Sequence, residues 1–326
     1  MSGSTGSVVV IGSTNIDLVM QVAHLPTPGE TVGDGAFVQA MGGKGANQAL
    51  AAARGGAPVT FISAVGDDDY GRMARENLVS EGLDCQFMVP SAEPTGTALI
   101  FVDADGENCI GVAPGANAMC NATLLAPAQA VIERAAVVLM QLEIPVATVR
   151  KALSLPAGRH MLNAAPVGAL DRLELTGVDT LVVNQIELAH LLARMDDPVS
   201  GPSGSNATSG LRTGQPAGDE ALRRACSVVH ALGVRECVVT LGPHGVYLSE
   251  EGVGLRQPGF EVEAIDTTGA GDTFCGALAA QLAAGQTLPA ATRVAQAAAA
   301  LACTELGAQT AIPTASAVRA FLARSG

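Results

Sequence analysis

Apolar residues follow two rhythms along this chain. Short runs that are apolar at almost every position, such as Ser7-Val8-Val9-Val10-Ile11 closed by Gly12 and Ala135–Leu142 followed by Glu143, predict strands buried on both faces. Similar strands are predicted at 59–65, 160–163, 180–183 ending in Asn184, and 237–241. Helical spacing is predicted from Met41 to about Ala53, over 71–80, from Asn184 onward, over 219–232, 274–282 and 288–305, and from about Thr314. Five or more strand–helix alternations with short connections predict an α/β fold. Its core is a doubly wound, mainly parallel sheet covered by helices on both faces.

Two stretches break that rhythm. Residues 18–40 carry Pro26, Pro28, Gly29, Gly33 and Gly35 among short apolar alternations, which suits short strands better than a crossover helix. Thr97–Val102 and Asn108–Val112 flank Asp103-Ala104-Asp105-Gly106, a hairpin turn signal. Segments of about 18–40 and 97–112 are therefore expected to form a small sheet, either a lid over a site or a decorated edge of the main sheet. Residues 1–326 are read as one domain, with 196–218, rich in Pro, Gly, Ser and Thr, as an exposed inserted loop. Alternation at Phe260, Val262 and Ala264 predicts one more strand.

Composition narrows the function classes. Hydrophobic residues make up 48% and charged residues 15%, a globular balance. A net charge of −13 argues against a nucleic-acid partner, which needs a basic face. No apolar run suits a bilayer span, and residues 1–6 lack the pattern of a signal peptide. Seven scattered cysteines without a C-x-x-C pair read as reduced thiols of a cytoplasmic protein.

The candidate chemistry gathers at predicted strand ends. Asp266-Thr267-Thr268-Gly269-Ala270-Gly271-Asp272-Thr273 runs into a helix. Two glycines at a helix start make an anion site, where the backbone N–H groups and the helix dipole favour a phosphate. Asp272 beside it is either a helix cap or a base next to a transferable phosphoryl group. Gly42-Gly43-Lys44-Gly45-Ala46-Asn47 is glycine-rich but lacks the Walker spacing, and it suits a hydroxyl-rich ligand. Asn15 and Asp17 are turn residues or ligand contacts. Glu143 is a cap or a ligand contact, and Asn184 with Glu187 has the spacing of a capping pair. His244 in Gly242-Pro243-His244-Gly245 reads as a solvent-facing turn residue. The lone Gly12 makes no dinucleotide fingerprint.

Together these motifs resemble the ribokinase family, the phosphofructokinase-B group of sugar and nucleoside kinases. Gly42–Asn47 and the 266–273 stretch are similar to its two signatures, and the resemblance spans about Val8 to Phe321. Segments 12–17, 43–47 and 140–143 are similar to the family's ribose-contact segments. The resemblance implies ATP-dependent phosphorylation of D-ribose at its 5-hydroxyl. Asn15, Ile16, Asp17, Gly43, Lys44, Gly45, Ala46, Asn47 and Glu143 would hold the sugar, and Asp272 would act as general base. Gly269, Ala270 and Gly271 would form the anion hole. Asn184, Thr240, Leu241, Gly242, Pro243, His244, Gly245, Gly271, Asp272 and Gln296 would line the nucleotide site. The resemblance further implies Mg²⁺ near Glu187, held through water. It implies K⁺ near Asp266, Thr268, Ala302, Glu305, Gly307 and Ala311, the last standing where relatives often carry Ser. A homodimer joined through the lid is also implied. A kinase for another sugar or nucleoside, and a non-catalytic binding regulator, are the alternatives.

Overall fold

A computed structural model describes residues 6–193, 211 and 216–325; most of the inserted loop expected at 196–218 lies outside the described residues. The chain opens with β1 (Val8–Ile11), β2 (Asn15–Gln21), β3 (Ala36–Gly42), α1 (Lys44–Arg54), β4 (Val59–Gly66), α2 (Asp69–Ser80) and β5 (Asp84–Ser91). It continues with β6 (Gly96–Val102), β7 (Asn108–Ala113), α3 (Leu125–Arg134), β8 (Val137–Met140), α4 (Val146–Leu153) and β9 (His160–Asn163). Then come β10 (Thr180–Asn184), α5 (Gln185–Ala193), α6 (Asp219–Ala231), β11 (Glu236–Thr240), β12 (Val246–Glu250) and β13 (Val253–Gln257). Helices α7 (Ala270–Ala283), α8 (Leu288–Ala302) and α9 (Ala315–Arg324) close it.

The main sheet has nine strands in the order β13-β12-β11-β10-β9-β8-β1-β4-β5. It is parallel from β5 to β11, and β12 and β13 add an antiparallel edge. Continuous apolar strands are required because both faces are covered. Val9, Ile11, Val138 and Met140 point into a core shared with α3, α4, α5 and α6. Their neighbours Val8, Val10, Val137 and Leu139 point into the opposite core, built with α1, α2, α7 and α8. The two-residue period of a strand thus feeds two layers at once.

After β1 the chain moves through β4 to β5 on one side, and from β8 onward it builds the other. The reversal between β1 and β8 is the switch point where open α/β sheets place their ligands. The small sheet is separate, four-stranded, in the order β3-β2-β6-β7, and β2 enters it directly from β1.

Three expectations need correction: the helix expected from Met41 begins only at Lys44, because Met41 and Gly42 end β3. No strand forms at Phe260–Ala264. Pro258-Gly259 ends the ladder after β13, and the run lies over the helices, with Phe260 edge-on to Phe321 at 5.1 Å and under the Arg293 guanidinium at 3.6 Å. Its alternation reports the partial cover of Phe260 and Val262, while Ala264 is exposed. The helix expected to Glu305 ends at Ala302.

Candidate active site

Helix α1 begins at the switch point without a cap of its own. Gly43 precedes it at φ 89°, and a Cβ there would lie 2.6 Å from the Asn15 backbone nitrogen, so only glycine fits. The first N–H groups of α1 are satisfied from elsewhere. Lys44 N donates to Glu143 Oε2 (3.0 Å), Gly45 N to Ser13 Oγ (3.2 Å) and Ala46 N to Ser13 O (2.9 Å). Ser13 Oγ also donates to Glu143 Oε2 (2.6 Å). Glu143, just after β8, is therefore a cap for α1 and a clamp between three elements.

Asn15 and Asp17 stand at the start of β2. Asn117, buried just after β7, donates from Nδ2 to Asn15 Oδ1 (2.7 Å) and Thr14 O (3.1 Å), while its Oδ1 accepts from Thr14 N (2.8 Å). With Asn15 Oδ1 engaged, the Asn15 amide N–H₂ is the group it can offer a ligand. Ile16 and Ala46 are core residues whose side chains are fully covered, so their expected ligand contacts reduce to backbone.

Asp272 lies in the first turn of α7 at 7% exposure. Gly269 caps that helix in the left-handed region at φ 72°, the conformation that turns the 266–269 loop sharply into it. Of the expected anion-hole donors, Ala270 N points back to Thr267 O (3.2 Å). The Asp272 carboxylate accepts from Asn47 Nδ2 at Oδ2 (3.0 Å) and from Gln48 Nε2 at Oδ1 (2.9 Å). Burial pushes its carboxyl above the usual carboxylate range, against Lys44 and these two amides, which favour the ionised form. Asp17 is pushed up to about 6 by burial, then by Glu143 and Asp272. Burial likewise raises Glu187, opposed by its bond from Asn184 and by Lys44. Lys44 is itself raised, first by Asp272 and then, against burial, by Glu143 and Glu187. One ammonium thus answers a ring of carboxylates.

Across the sheet, Asn184 ends β10 and Glu187 sits in the first turn of α5. Asn184 N donates to Glu187 Oε2 and Glu187 N to Asn184 Oδ1, both at 2.8 Å, a reciprocal capping box with Asn in place of Ser or Thr. A cavity of about 830 Å³ opens beside it, lined by Asn184, Gln185, Ile186, Thr240, Leu241, Gly242, Pro243 and His244 among others. That volume suits a nucleotide-sized ligand. His244 is exposed in its turn, as expected. Gly245 is buried and its carbonyl accepts from Leu241 N (2.9 Å). Gln296 is not in the cavity wall; it is 6% exposed on α8, with Nε2 3.4 Å from Gln257 O and 3.3 Å from Pro258 O.

The 266–268 turn is strapped to the segment after α8. Asp266 Oδ1 accepts from Thr268 N (2.9 Å) and Oδ2 from Gly307 N (2.8 Å), while Ile265 N and Asp266 N donate to Cys303 O (2.8 and 3.2 Å). Burial acts to raise Asp266, but the Thr268 and Gly307 donors outweigh it and hold the group low. Ala302 and Ala311 are buried and offer only backbone oxygens. Among the described residues no cluster of His, Cys, Asp and Glu forms a ready metal cage.

The model of the pfkB family carbohydrate kinases matches residues 5–315. The chain belongs to that family. It is 37% identical over 312 residues to a ribokinase of Haemophilus influenzae, covering 94% of this chain and 95% of the relative. A ribokinase from Thermotoga maritima superposes with a TM-score of 0.82 at 32% identity, covering 98% of this chain and 99% of that one. An Arabidopsis thaliana ribokinase, solved with ribose and ATP, superposes with a TM-score of 0.80 at 29% identity, covering 98% and 99%. The fold expected from the alternating strands and helices, small sheet included, is the fold of these kinases.

Ser13, Gln48, Asn117 and Asn163 are not among the residues expected from sequence, although the first three tie expected site residues in place and Asn163 holds Gln48. Gln48 had a signal in hand, since it directly follows the Gly42–Asn47 motif. Asn117 and Asn163 had none, because their partners stand 102 and 115 residues away.

Proposed function

We propose that this pfkB-family kinase transfers the γ-phosphoryl group of ATP to the 5-hydroxyl of D-ribose, giving ribose 5-phosphate and ADP. The observation that carries the reading is Asp272: a buried carboxylate at a helix N-terminus, held by α1 between the switch-point residues and the cavity beside Asn184. Ribokinases at 37% and 32% identity match nearly the whole chain, which supports ribose over other sugars. Asn15, Asp17, Gly43, Asn47 and Glu143 would bind the sugar hydroxyls, whose mixed donors and acceptors match amide and carboxylate partners. Asp272 takes the proton of the attacking hydroxyl, and the α7 N-terminus at Gly269 and Gly271 stabilises charge on the transferring group, Ala270 N being held by Thr267 O. Lys44 compensates the carboxylates as the phosphate charge arrives.

Glu187, its Oε2 already accepting from Asn184, would hold magnesium through water, and the ion would supply charge neutralisation for the phosphates of ATP. Potassium would sit between the 266–268 turn and the 302–311 segment. The Asp266–Gly307 bond joins these segments, and backbone oxygens there are ligands of the right hardness. A homodimer through the small sheet is part of the reading, as is a cytoplasmic setting, which suits seven free thiols.

Asp272→Asn decides the base. We expect kcat with ribose to fall at least about 10²-fold, with ribose affinity within about three-fold of the parent. An unchanged kcat would remove Asp272 from the chemistry. A panel of ribose, 2-deoxyribose, fructose and adenosine, assayed for ADP release with and without K⁺, tests the substrate. Preference for any member other than ribose overturns that part, and no turnover at all favours a binding regulator.

A further inference from the structure

Gln48 stands beside the assigned machinery with no role yet. It is wholly buried on α1, and its single amide N–H₂ is shared between Asp272 Oδ1 (2.9 Å) and Asn163 Oδ1 (3.0 Å). Asn163, at the end of β9 and 8% exposed, has its own Nδ2 directed at Val182 O of β10 (3.4 Å). A backbone carbonyl can only accept. It therefore sets the direction of every bond that follows: Val182 O turns the Asn163 amide nitrogen toward itself, which leaves Asn163 Oδ1 to accept. That in turn draws the Gln48 nitrogen, whose second hydrogen meets Asp272. The chain ends on a group that accepts fully only when ionised.

We propose that Gln48, oriented by Asn163 and the Val182 carbonyl, is a positioning residue that presents a hydrogen to Asp272 and keeps that acid ionised and correctly turned for proton abstraction. This rests on the reading of Asp272 as base. A protonated Asp272 would have to turn its O–H toward an acceptor, and Gln48 cannot flip to provide one without losing Asn163. The fixed Gln48 bond thereby favours the ionised acid, against the burial that raises its carboxyl. Asn47 serves the other oxygen, Oδ2 (3.0 Å), but no second amide fixes its direction. The charged or titratable groups that face Asp272 are Lys44 on α1, Asp17 on β2, Glu143 after β8, Glu187 on α5 and Cys275 on α7. Lys44 favours the ionised acid, whereas burial and Glu143 oppose it, so the relay acts on the same side as Lys44.

The test is the pH dependence of kcat in Gln48→Leu and Asn163→Ala, with Asp272→Asn as control. In Gln48→Leu the acidic limb of kcat moves up by about one pH unit. The loss approaches about 10-fold on the acidic limb and shrinks toward pH 9, and KM for ribose stays within about three-fold. Asn163→Ala, which frees Gln48 to flip, moves the limb in the same direction by a smaller amount. The double variant is no worse than Gln48→Leu, as expected for one chain of bonds. A Gln48→Leu profile that superposes on the parent overturns the proposal. So does a loss equal at every pH, the mark of packing damage. Should Gln48→Leu fail to fold, Asn163→Ala decides alone: an unmoved limb overturns the relay. If Asp272→Asn keeps its kcat, the base reading fails first; if that variant is dead while the limbs stay put, only the relay fails.

Discussion

Asp17 carries an electrostatic cost that the proposed sugar contact would explain. Its carboxyl is raised to about 6 by burial and by the charges of Glu143 and Asp272, so at neutral pH an ionised group sits among like charges. A folded value above the ordinary 3.8 means that protonation favours the native state, and this contribution to stability is lost as pH rises through about 6. Asp17→Asn is therefore expected to stabilise the sugar-free protein at pH 7.5 by about 1–2 kcal/mol, discounted from the full shift because Asp17 is half-buried. The gain should vanish near pH 4 while KM for ribose rises. Thermal unfolding at the two pH values checks it, and a gain independent of pH would contradict it.

At the scale of elements, the hinge of the small sheet rests on one carboxylate. Asp68 caps α2 through Gly71 N (2.7 Å) and holds Thr95, just before β6, through its backbone N (2.8 Å) and its Oγ1 (2.6 Å). Burial opposes the charge, but these donors outweigh it and lower the carboxyl. The stability it supplies is thus present above its unfolded value and is lost as pH falls through the folded one. Asp68→Ala should cost about 1–3 kcal/mol at pH 7 and speed hydrogen exchange in β6 more than in β1. Uniform exchange across both strands would show that the latch is not local.

The same scale shows what was readable beforehand. The central parallel strands β1, β8 and β10 announced themselves as apolar runs closed by Gly, Glu or Asn, because burial on both faces favours apolar positions, whereas the parallel edge strand β5, with alternating exposure, did not. The β12–β13 hairpin escaped. Its two-residue loop places Glu251 at φ 49° and Gly252 at φ 88°, the conformation that Asn-Gly usually signals, so Glu-Gly gave a faint cue. Phe260–Ala264 misled in the opposite way, since alternation records which side is covered and says nothing of a neighbouring strand. Individual site residues such as Asp272 and Asn47 were legible from local motifs. The bond between them, spanning 225 residues, was not, because it exists only once α1 and α7 pack together.

For the molecule as a whole, the small sheet leaves apolar surface uncovered on the face that carries Asp17. Register places Val38, Ile110 and Val112 on that face, and they are 46, 53 and 56% exposed. Contiguous apolar surface of this kind marks an interface, and a second copy of the lid is the occupant we expect. Ile110→Asp should convert a dimer into a monomer in sedimentation velocity at micromolar protein. A parent protein that is itself monomeric there would refute the assembly.

The seclusion of Asp272 reaches beyond proton transfer. A base open to solvent would activate water as readily as an alcohol, and a kinase so built would hydrolyse its nucleotide whenever sugar was scarce. Here both oxygens of the acid are already held by amides of α1, and the side chain is almost fully enclosed. If Asp272 is the base, the same packing that orients it should also suppress idle turnover, and ATP hydrolysis without sugar should stay at background.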